Sequence, residues 1–186
     1  MILFQRERLQ VRLLQEEDAG LLVKWLSDPE VLAFYEGRDR PHDLPMVLDS
    51  FYTDDEEETR CMIEYDGQAI GYIQFYLITE EERVEYGYED FVDSVYGMDQ
   101  FIGEVRFWNQ GIGTLLVKSM IDYLLHERNA GKIVMDPQVS NGRALRVYEK
   151  CGFRKKKLLR ERELHEGIWK DCWLIEYDLA LNESLE

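Results

Sequence analysis

The sequence predicts an α/β fold: a mixed central sheet of six to seven strands flanked by helices. Three observations lead there. Helical and strand-like periodicities interleave along the chain, so helices join some strands and tight turns join others. Asp66-Gly67 stands between two β-rich runs and marks a hairpin. A glycine pair, Gly111 and Gly113, separates a strand-like run from an amphipathic helix.

The N-terminal stretch MILFQRERLQVRLL lacks a basic region followed by a clean apolar one, so it reads as the first strand and not as a signal peptide. Within it, LQVRLL (9–14) alternates with a period of two. EEDAGLLVKWLS (16–27) places Leu21, Leu22, Trp25 and Leu26 at helical spacing. SDPEVLAFY restarts a short helix with Pro29 in its first turn, where its missing N–H costs nothing. A further helix covers 44–52, and DDEEE (54–58) reads as a solvated acidic loop. RCMIEYDGQAIGYIQFYLI (60–78) is the hairpin, and the acidic stretch 80–94 fits more than one state.

Residues 95–104 form the next strand. Leu116, Val117, Met120, Ile121, Leu124 and Leu125 then form the apolar stripe of a helix that ends near Asn129-Ala130-Gly131. KIVMD (132–136) is a short strand. SNGRALRVYEKCG (140–152) is a helix capped by Ser140 or Asn141 and ended by Gly152. FRKKKLLRERELHEG and DCWLIEYDLA close the chain as two strands. No repeat or Gly/Ser/Pro-rich linker divides the 186 residues, so one domain over 1–186 is expected.

Composition narrows the partners. The formal charge is −16, whereas a small domain carries about 2 to 8 charges. Nucleic-acid binding needs a basic face and is excluded as an expectation. A polycationic small molecule suits the field, although plain solubility explains the charge as well. No apolar run is long enough to span a bilayer, so no membrane partner is expected. Cys61, Cys151 and Cys172 are odd in number and far apart, which suits free thiols in a reducing, cytoplasmic setting. With His42, His126 and His165 scattered among them, no metal site is expected.

The glycine pair carries chemistry as well as conformation. Helix N-termini present unpartnered N–H groups and partial positive charge, and glycine lets an anion approach them closely. QGIGT (110–114) is therefore able to hold a phosphate or pyrophosphate, though a Gly-x-Gly before a helix is as often a plain turn. It is not a P-loop, because Thr114 and Leu115 follow where Lys-Ser/Thr would be needed. It is not a dinucleotide fingerprint either, because Leu116 stands at the third glycine.

Downstream, DPQVSNGRALRVYEKCGF (136–153) carries Asn141, Ala144, Tyr148 and Gly152-Phe153. Asn141, Leu145 and Tyr148 share one helical face. Together with the glycine loop, this pattern resembles the GCN5-related N-acetyltransferase family. That family puts Gln or Arg three residues before the first glycine; here Trp108 stands there and Gln110 adjoins the glycine. FYEGRD (34–39), VYGMDQFIGE (95–104) and ELHEG…DCWLIEY (163–177) extend the likeness to the aminoglycoside 6′-N-acetyltransferases. Among these the likeness is strongest to the acetyltransferase half of bifunctional acetyltransferase–phosphotransferases. No phosphotransferase segment follows, so a stand-alone form is expected.

The resemblance implies that acetyl-CoA is the co-substrate and the 6′-amine of an aminoglycoside the acceptor, reacting directly in a ternary complex. It implies coenzyme contacts at Phe101, Ile102, Gln110, Gly111, Gly113, Thr114 and Asn141, with a plain helix cap the alternative for Asn141. It implies substrate contacts at Tyr35, Glu36, Asp39, Asp99 and Asp136, with core packing the alternative for Tyr35.

Asp99 and Tyr148 are the implied catalytic pair. A lysine-like amine has a pKa of about 10.4 against about 3.9 for aspartate, so Asp99 suits orienting the amine, relaying its proton or stabilising positive charge better than acting as a strong base. A phenol of pKa about 10 does not protonate a thiolate of about 8.5 downhill, so Tyr148 suits hydrogen bonding to the leaving sulfur. Two other readings stand beside this one: an acetyltransferase for another small amine, a polyamine or a protein N-terminus, and a non-catalytic acetyl-CoA binder. Monomer and homodimer are both compatible with the sequence.

Overall fold

The computed structural model describes residues 1–53 and 57–183. Most of the acidic loop expected at 54–58 lies outside the described residues. The strands are β1 (Ile2–Arg6), β2 (Leu9–Leu13), β3 (Glu58–Tyr65), β4 (Gln68–Leu77), β5 (Ser94–Ile102), β6 (Ala130–Met135), β7 (Arg154–His165) and β8 (Ile168–Asp178). The helices are α1 (Ala19–Trp25), α2 (Pro29–Leu32), α3 (Leu44–Phe51), α4 (Glu80–Tyr86), α5 (Ile112–Glu127), α6 (Gly142–Lys150) and α7 (Leu179–Glu183). The sheet has eight strands in the order β1-β2-β3-β4-β5-β6-β8-β7. It is mixed: β5 and β6 run parallel, while β1–β2, β2–β3 and β6–β8 are antiparallel.

Eight strands replace the six to seven expected. The N-terminal run is not one strand but a hairpin, with Arg6 opposite Leu9 and the chain reversing at Glu7, whose φ is +54°. No Gly, Pro, Asn or Asp marks that turn in the sequence, which is why the run reads as continuous. The ambiguous stretch 80–94 begins with α4: Thr79 and Glu82 form a reciprocal capping box, and Gly87 ends the helix at φ +77°. β8 stops at Asp178, whose carboxylate accepts from Ala180 N at 3.0 Å as α7 begins. That short helix has no counterpart in the sequence reading, which continued the strand to Ala180.

Other elements follow the sequence. Asp66 (φ +51°) and Gly67 (φ +74°) form the left-handed pair that a two-residue hairpin turn needs. Glu166 and Gly167 repeat it between β7 and β8, at +50° and +75°. Asp28 and Asp43 cap α2 and α3 through Glu30 N and Met46 N.

The chain sorts into two compact units. The first comprises Met1–Gln74, Asp99–Gly113 and His165–Gly167. In it, α1 turns Ala19, Leu22, Trp25 and Leu26 inward at helical spacing, onto Met62, Tyr72 and Phe101. Trp25 meets Phe101 edge-on at 6.2 Å, and each such buried aromatic side chain contributes about 2–3 kcal/mol. Arg12 clasps Asp18 with two hydrogen bonds of 2.7 and 2.8 Å and reaches Glu64 at 2.7 Å.

The second unit comprises Phe75–Met98, Thr114–Leu164 and the chain from Ile168. Its core includes Ile78, Tyr86, Tyr88, Val95, Val134, Leu159, Cys172 and Leu174. Leu116, Val117, Met120, Ile121 and Leu124 are the buried stripe of α5. Among the described residues, no helix is long and apolar enough to cross a membrane.

Candidate active site

In the first unit the chemistry gathers on β4 and β5. Tyr72 and Gln74, two residues apart, share one face of β4. The Tyr72 hydroxyl donates to Gln74 Oε1 at 2.7 Å, and Gln74 Nε2 donates to Asp99 Oδ2 at 3.2 Å. This relay fixes one oxygen of the Asp99 carboxylate. Aromatic rings stand around it: Tyr35 lies 4.5 Å from Phe101, and Phe101 lies 5.8 Å from Tyr72. Burial first, and the Asp99 charge next, hold the Tyr35 phenol well above its ordinary range. Burial does the same for Tyr72. Both therefore remain protonated at neutral pH. A carboxylate edged by aromatic faces suits an ammonium group.

Tyr35 opens a short loop. Glu36 has φ +67° and an ion pair with Arg40 at 3.7 Å. Gly37 lies at φ +107°, where a Cβ would come within 2.7 Å of Asp39 Oδ1. Arg38 pairs with Glu166. Asp39 is exposed.

The path from β5 to the glycine loop is pinned at several points. Gly103 N and Glu104 N both donate to Ile70 O, at 2.8 and 3.0 Å. A Cβ on Gly103 would stand 2.2 Å from the Trp25 indole, so only glycine fits. Glu104 accepts from Lys24 and, at 3.0 Å, from Trp25 Nε1; these hydrogen bonds hold its carboxyl below the usual range. Trp108, the departure from the family pattern, donates Nε1 to Ile102 O at 2.8 Å and packs edge-on against Phe34 at 5.8 Å. It anchors the loop.

Gln110 Nε2 donates to Arg106 O at 2.5 Å, so that amide is occupied within the loop. Asn109 (φ +58°) and Gly111 (φ +79°) make the turn into α5. A Cβ built on Gly111 or Gly113 meets nothing within 4 Å. Open space beside first-turn N–H groups of a 16-residue helix fits a pyrophosphate.

In the second unit, Thr114 O on α5 lies 3.8 Å from the Cys151 thiol. Asn141 caps α6 by accepting from Ala144 N at 3.2 Å through Oδ1. Tyr148 is half-buried on α6, its ring 6.2 Å from Phe153.

Asp136 ends β6 and accepts from Arg162 Nε at 3.1 Å. Arg162 also donates to both oxygens of Glu85, at 3.0 and 2.9 Å, and to Tyr86 OH at 2.7 Å. Burial raises the Asp136 carboxyl, and Arg162 opposes the rise. Tyr76, Glu82, Tyr86, Met135 and Asp136 line a small pocket.

The first unit thus brings Tyr35, Asp99 and Phe101 together and holds Glu36, Asp39, Ile102, Gln110, Gly111 and Gly113; the second holds Thr114, Asp136, Asn141 and Tyr148. Sequence reasoning missed Gln74, Arg38, Glu166 and Arg162. Gln74 stands out as the one residue other than an apolar or aromatic one in the run YIQFY, and Arg38 and Glu166 lie inside FYEGRD and ELHEG, but nothing in a single sequence shows that they pair.

A strand-borne carboxylate near aromatic rings and a glycine turn ahead of a long helix, on a mixed sheet, fit an N-acyltransferase. Residues 15–160 match the family model described as an acetyltransferase (GNAT) domain, and the chain belongs to that family. It is 29% identical over 158 residues to aminoglycoside N(6′)-acetyltransferase type 1 of Klebsiella pneumoniae, covering 80% of this chain and 75% of that protein. The structure of AAC(6′)-Ib with ribostamycin and coenzyme A superposes with a TM-score of 0.77 at 24% identity, over 95% of this chain and 97% of that one. Spermidine N-acetyltransferase of Vibrio cholerae with coenzyme A and spermine gives 0.76 at 18% identity, over 94% and 98%. Both likenesses establish the fold alone.

Proposed function

We propose that this chain transfers the acetyl group of acetyl-CoA to the 6′-amine of an aminoglycoside, and that both compact units belong to one acetyltransferase domain. The observation that carries the proposal is the Asp99 carboxylate, fixed by Gln74 and edged by Tyr35 and Phe101. It stands in a chain related over most of its length to an aminoglycoside N(6′)-acetyltransferase. The family model spans residues of both units, which supports one domain.

The first-turn amides of α5, with Gly111 and Gly113, hold the pyrophosphate of the coenzyme. Thr114, Asn141 Nδ2 and the strand end at Phe101 and Ile102 hold the rest. Asp99 orients the acceptor ammonium and takes part in removing its proton, directly or through water. The free amine nitrogen attacks the thioester carbonyl. The tetrahedral adduct loses the nitrogen's second proton to Asp99 or water, and the carbon–sulfur bond breaks. The thiolate leaves stabilised by a hydrogen bond from Tyr148 and takes up a proton from water to become the free thiol. Holding donor and acceptor together is the main source of rate. Glu36, Asp39 and Asp136 draw the remaining ammonium groups of a polycation. Three buried free thiols suit a reducing cytoplasm.

Free-thiol release from acetyl-CoA tests this, with kanamycin A, a 6′-hydroxyl aminoglycoside and spermidine in parallel. Release with kanamycin A alone is the expected result. Release with spermidine alone transfers the assignment to polyamines.

A further inference from the structure

The loop after α2 carries Tyr35 to the acceptor carboxylate, yet its own backbone is not self-sufficient. Glu36 is left-handed without being glycine, a conformation that the surrounding structure must impose. Inside the loop, Gly37 N reaches Leu32 O at 3.0 Å and Arg40 N reaches Gly37 O at 3.1 Å. Gly37 N also reaches Tyr35 O at 2.9 Å, Glu36 pairs with Arg40, and His42 N donates to Leu26 O at 2.8 Å. A further constraint, which ties the loop to the β7–β8 turn, comes from 128 residues away. Glu166 Oε1 accepts from Arg38 N at 3.1 Å and from Arg38 Nε at 2.5 Å, while Oε2 accepts from Arg38 Nη2 at 2.7 Å.

Gly37 lies directly on this contact: a Cβ there would stand 3.4 Å from Glu166 Cγ and 3.5 Å from Glu166 N. A planar fork meeting both carboxylate oxygens fixes orientation as well as distance. The third hydrogen bond comes from backbone, so the carboxylate holds the main chain of the loop and not merely a side chain. The Glu166-Gly167 turn, itself left-handed at both residues, presents the carboxylate.

We propose that Glu166 is a positioning residue for the acceptor: gripping Arg38 by side chain and backbone, it holds residues 36–40 in the conformation that sets Tyr35 beside Asp99. The proposal rests on the reading that Asp99 faces the acceptor amine. It assigns Glu166 no contact with the reacting atoms. Its influence reaches them through Arg38, the loop and Tyr35.

The test uses R38A, E166A, the double variant and the charge swap R38E/E166R in the full chain. Arg38 is exposed and Glu166 partly so, and the melting temperature of each variant checks that it is folded before its kinetics are read. Each single variant is expected to raise the KM for kanamycin A roughly fivefold while leaving the KM for acetyl-CoA unchanged. The double variant is no worse than either single one, and the swap recovers part of the loss. Amide hydrogen exchange gives a readout free of catalysis: exchange at 36–40 quickens in E166A and stays unchanged along α5. Unchanged exchange at 36–40 overturns the proposal whether or not any amine is acetylated. An acetyl-CoA KM that rises as much as the acceptor KM also overturns it. A wild-type protein that acetylates no amine, with exchange still quickened in E166A, defeats the functional reading and leaves the grip on the loop standing.

Discussion

Gln74 Nε2 donates to Asp99 Oδ2 across 3.2 Å, so the strand beside β5 helps set where this carboxylate points. The Tyr72 hydroxyl in turn holds Gln74. Asp99→Asn keeps the shape and an oxygen for Gln74 but removes the charge. Turnover should fall about a hundredfold or more, with acetyl-CoA affinity by equilibrium dialysis unchanged. Gln74→Leu, which removes the Nε2 hydrogen bond to Oδ2, should lose about tenfold. Near-normal turnover of the Asp99→Asn variant at neutral pH refutes the assignment.

Gly111 and Gly113 separate conformation from ligand approach. Gly111 has φ +79°, so Gly111→Ala strains the backbone and should lower stability by about 1 kcal/mol. Gly113 has no such φ, and a Cβ on it meets no protein atom. Gly113→Ala should therefore melt at or slightly above the wild-type temperature, yet bind acetyl-CoA about tenfold more weakly. Calorimetric melting beside coenzyme titration checks both halves. Unweakened binding would mean that the phosphate lies elsewhere.

Asp18 ties the acid stability of the first unit to Arg12. Burial pushes the Asp18 carboxyl up, but hydrogen bonds from Arg12 and Gln15 N outweigh it, so the net shift is downward. A carboxyl lowered in the folded state contributes stability that is complete above its unfolded pKa, about 4, and fades as the pH falls through the folded value. Asp18→Asn should cost about 1–2 kcal/mol at pH 7 in urea unfolding, because it removes the opposite charge and one acceptor oxygen from the half-buried Arg12, which keeps Glu64. The gap to wild type should narrow at pH 3.

The cysteines should be silent towards thiol reagents. Burial, then the charges of Asp136 and Glu163, push the Cys172 thiol up to about 12. At pH 8 only about one such thiol in ten thousand is ionised. Burial raises Cys151 as well, and Cys61 is fully buried. A disulfide reagent added to the native protein should titrate none of the three until denaturant is added. Fast reaction of even one would show that the core around it opens readily.

Local signals made much of the fold legible. Asp66-Gly67 announced its hairpin, and the spacing from Leu116 to Leu124 announced α5, because turn chemistry and helical periodicity act within a few residues. Glu7 hid the first hairpin, since a glutamate at positive φ is held there by strand pairing and not by its own preference. Asp99, Gly111 and Gly113 were legible as candidates because their motifs are contiguous. Gln74 and Glu166 were not, because each acts on a residue distant in the sequence, and a single sequence carries no record of such pairings. Trp108 looked like a defect in the glycine loop; its indole N–H on Ile102 O shows it to be an anchor.

If the chain is a 6′-acetyltransferase, the acetyl group goes to one nitrogen. Incubation with acetyl-CoA and kanamycin A, followed by two-dimensional NMR of the purified product, locates it. A single acetamide on the 6′-nitrogen is expected. An acetyl group on any other nitrogen, or kanamycin A recovered unchanged while acetyl-CoA binds, would contradict it.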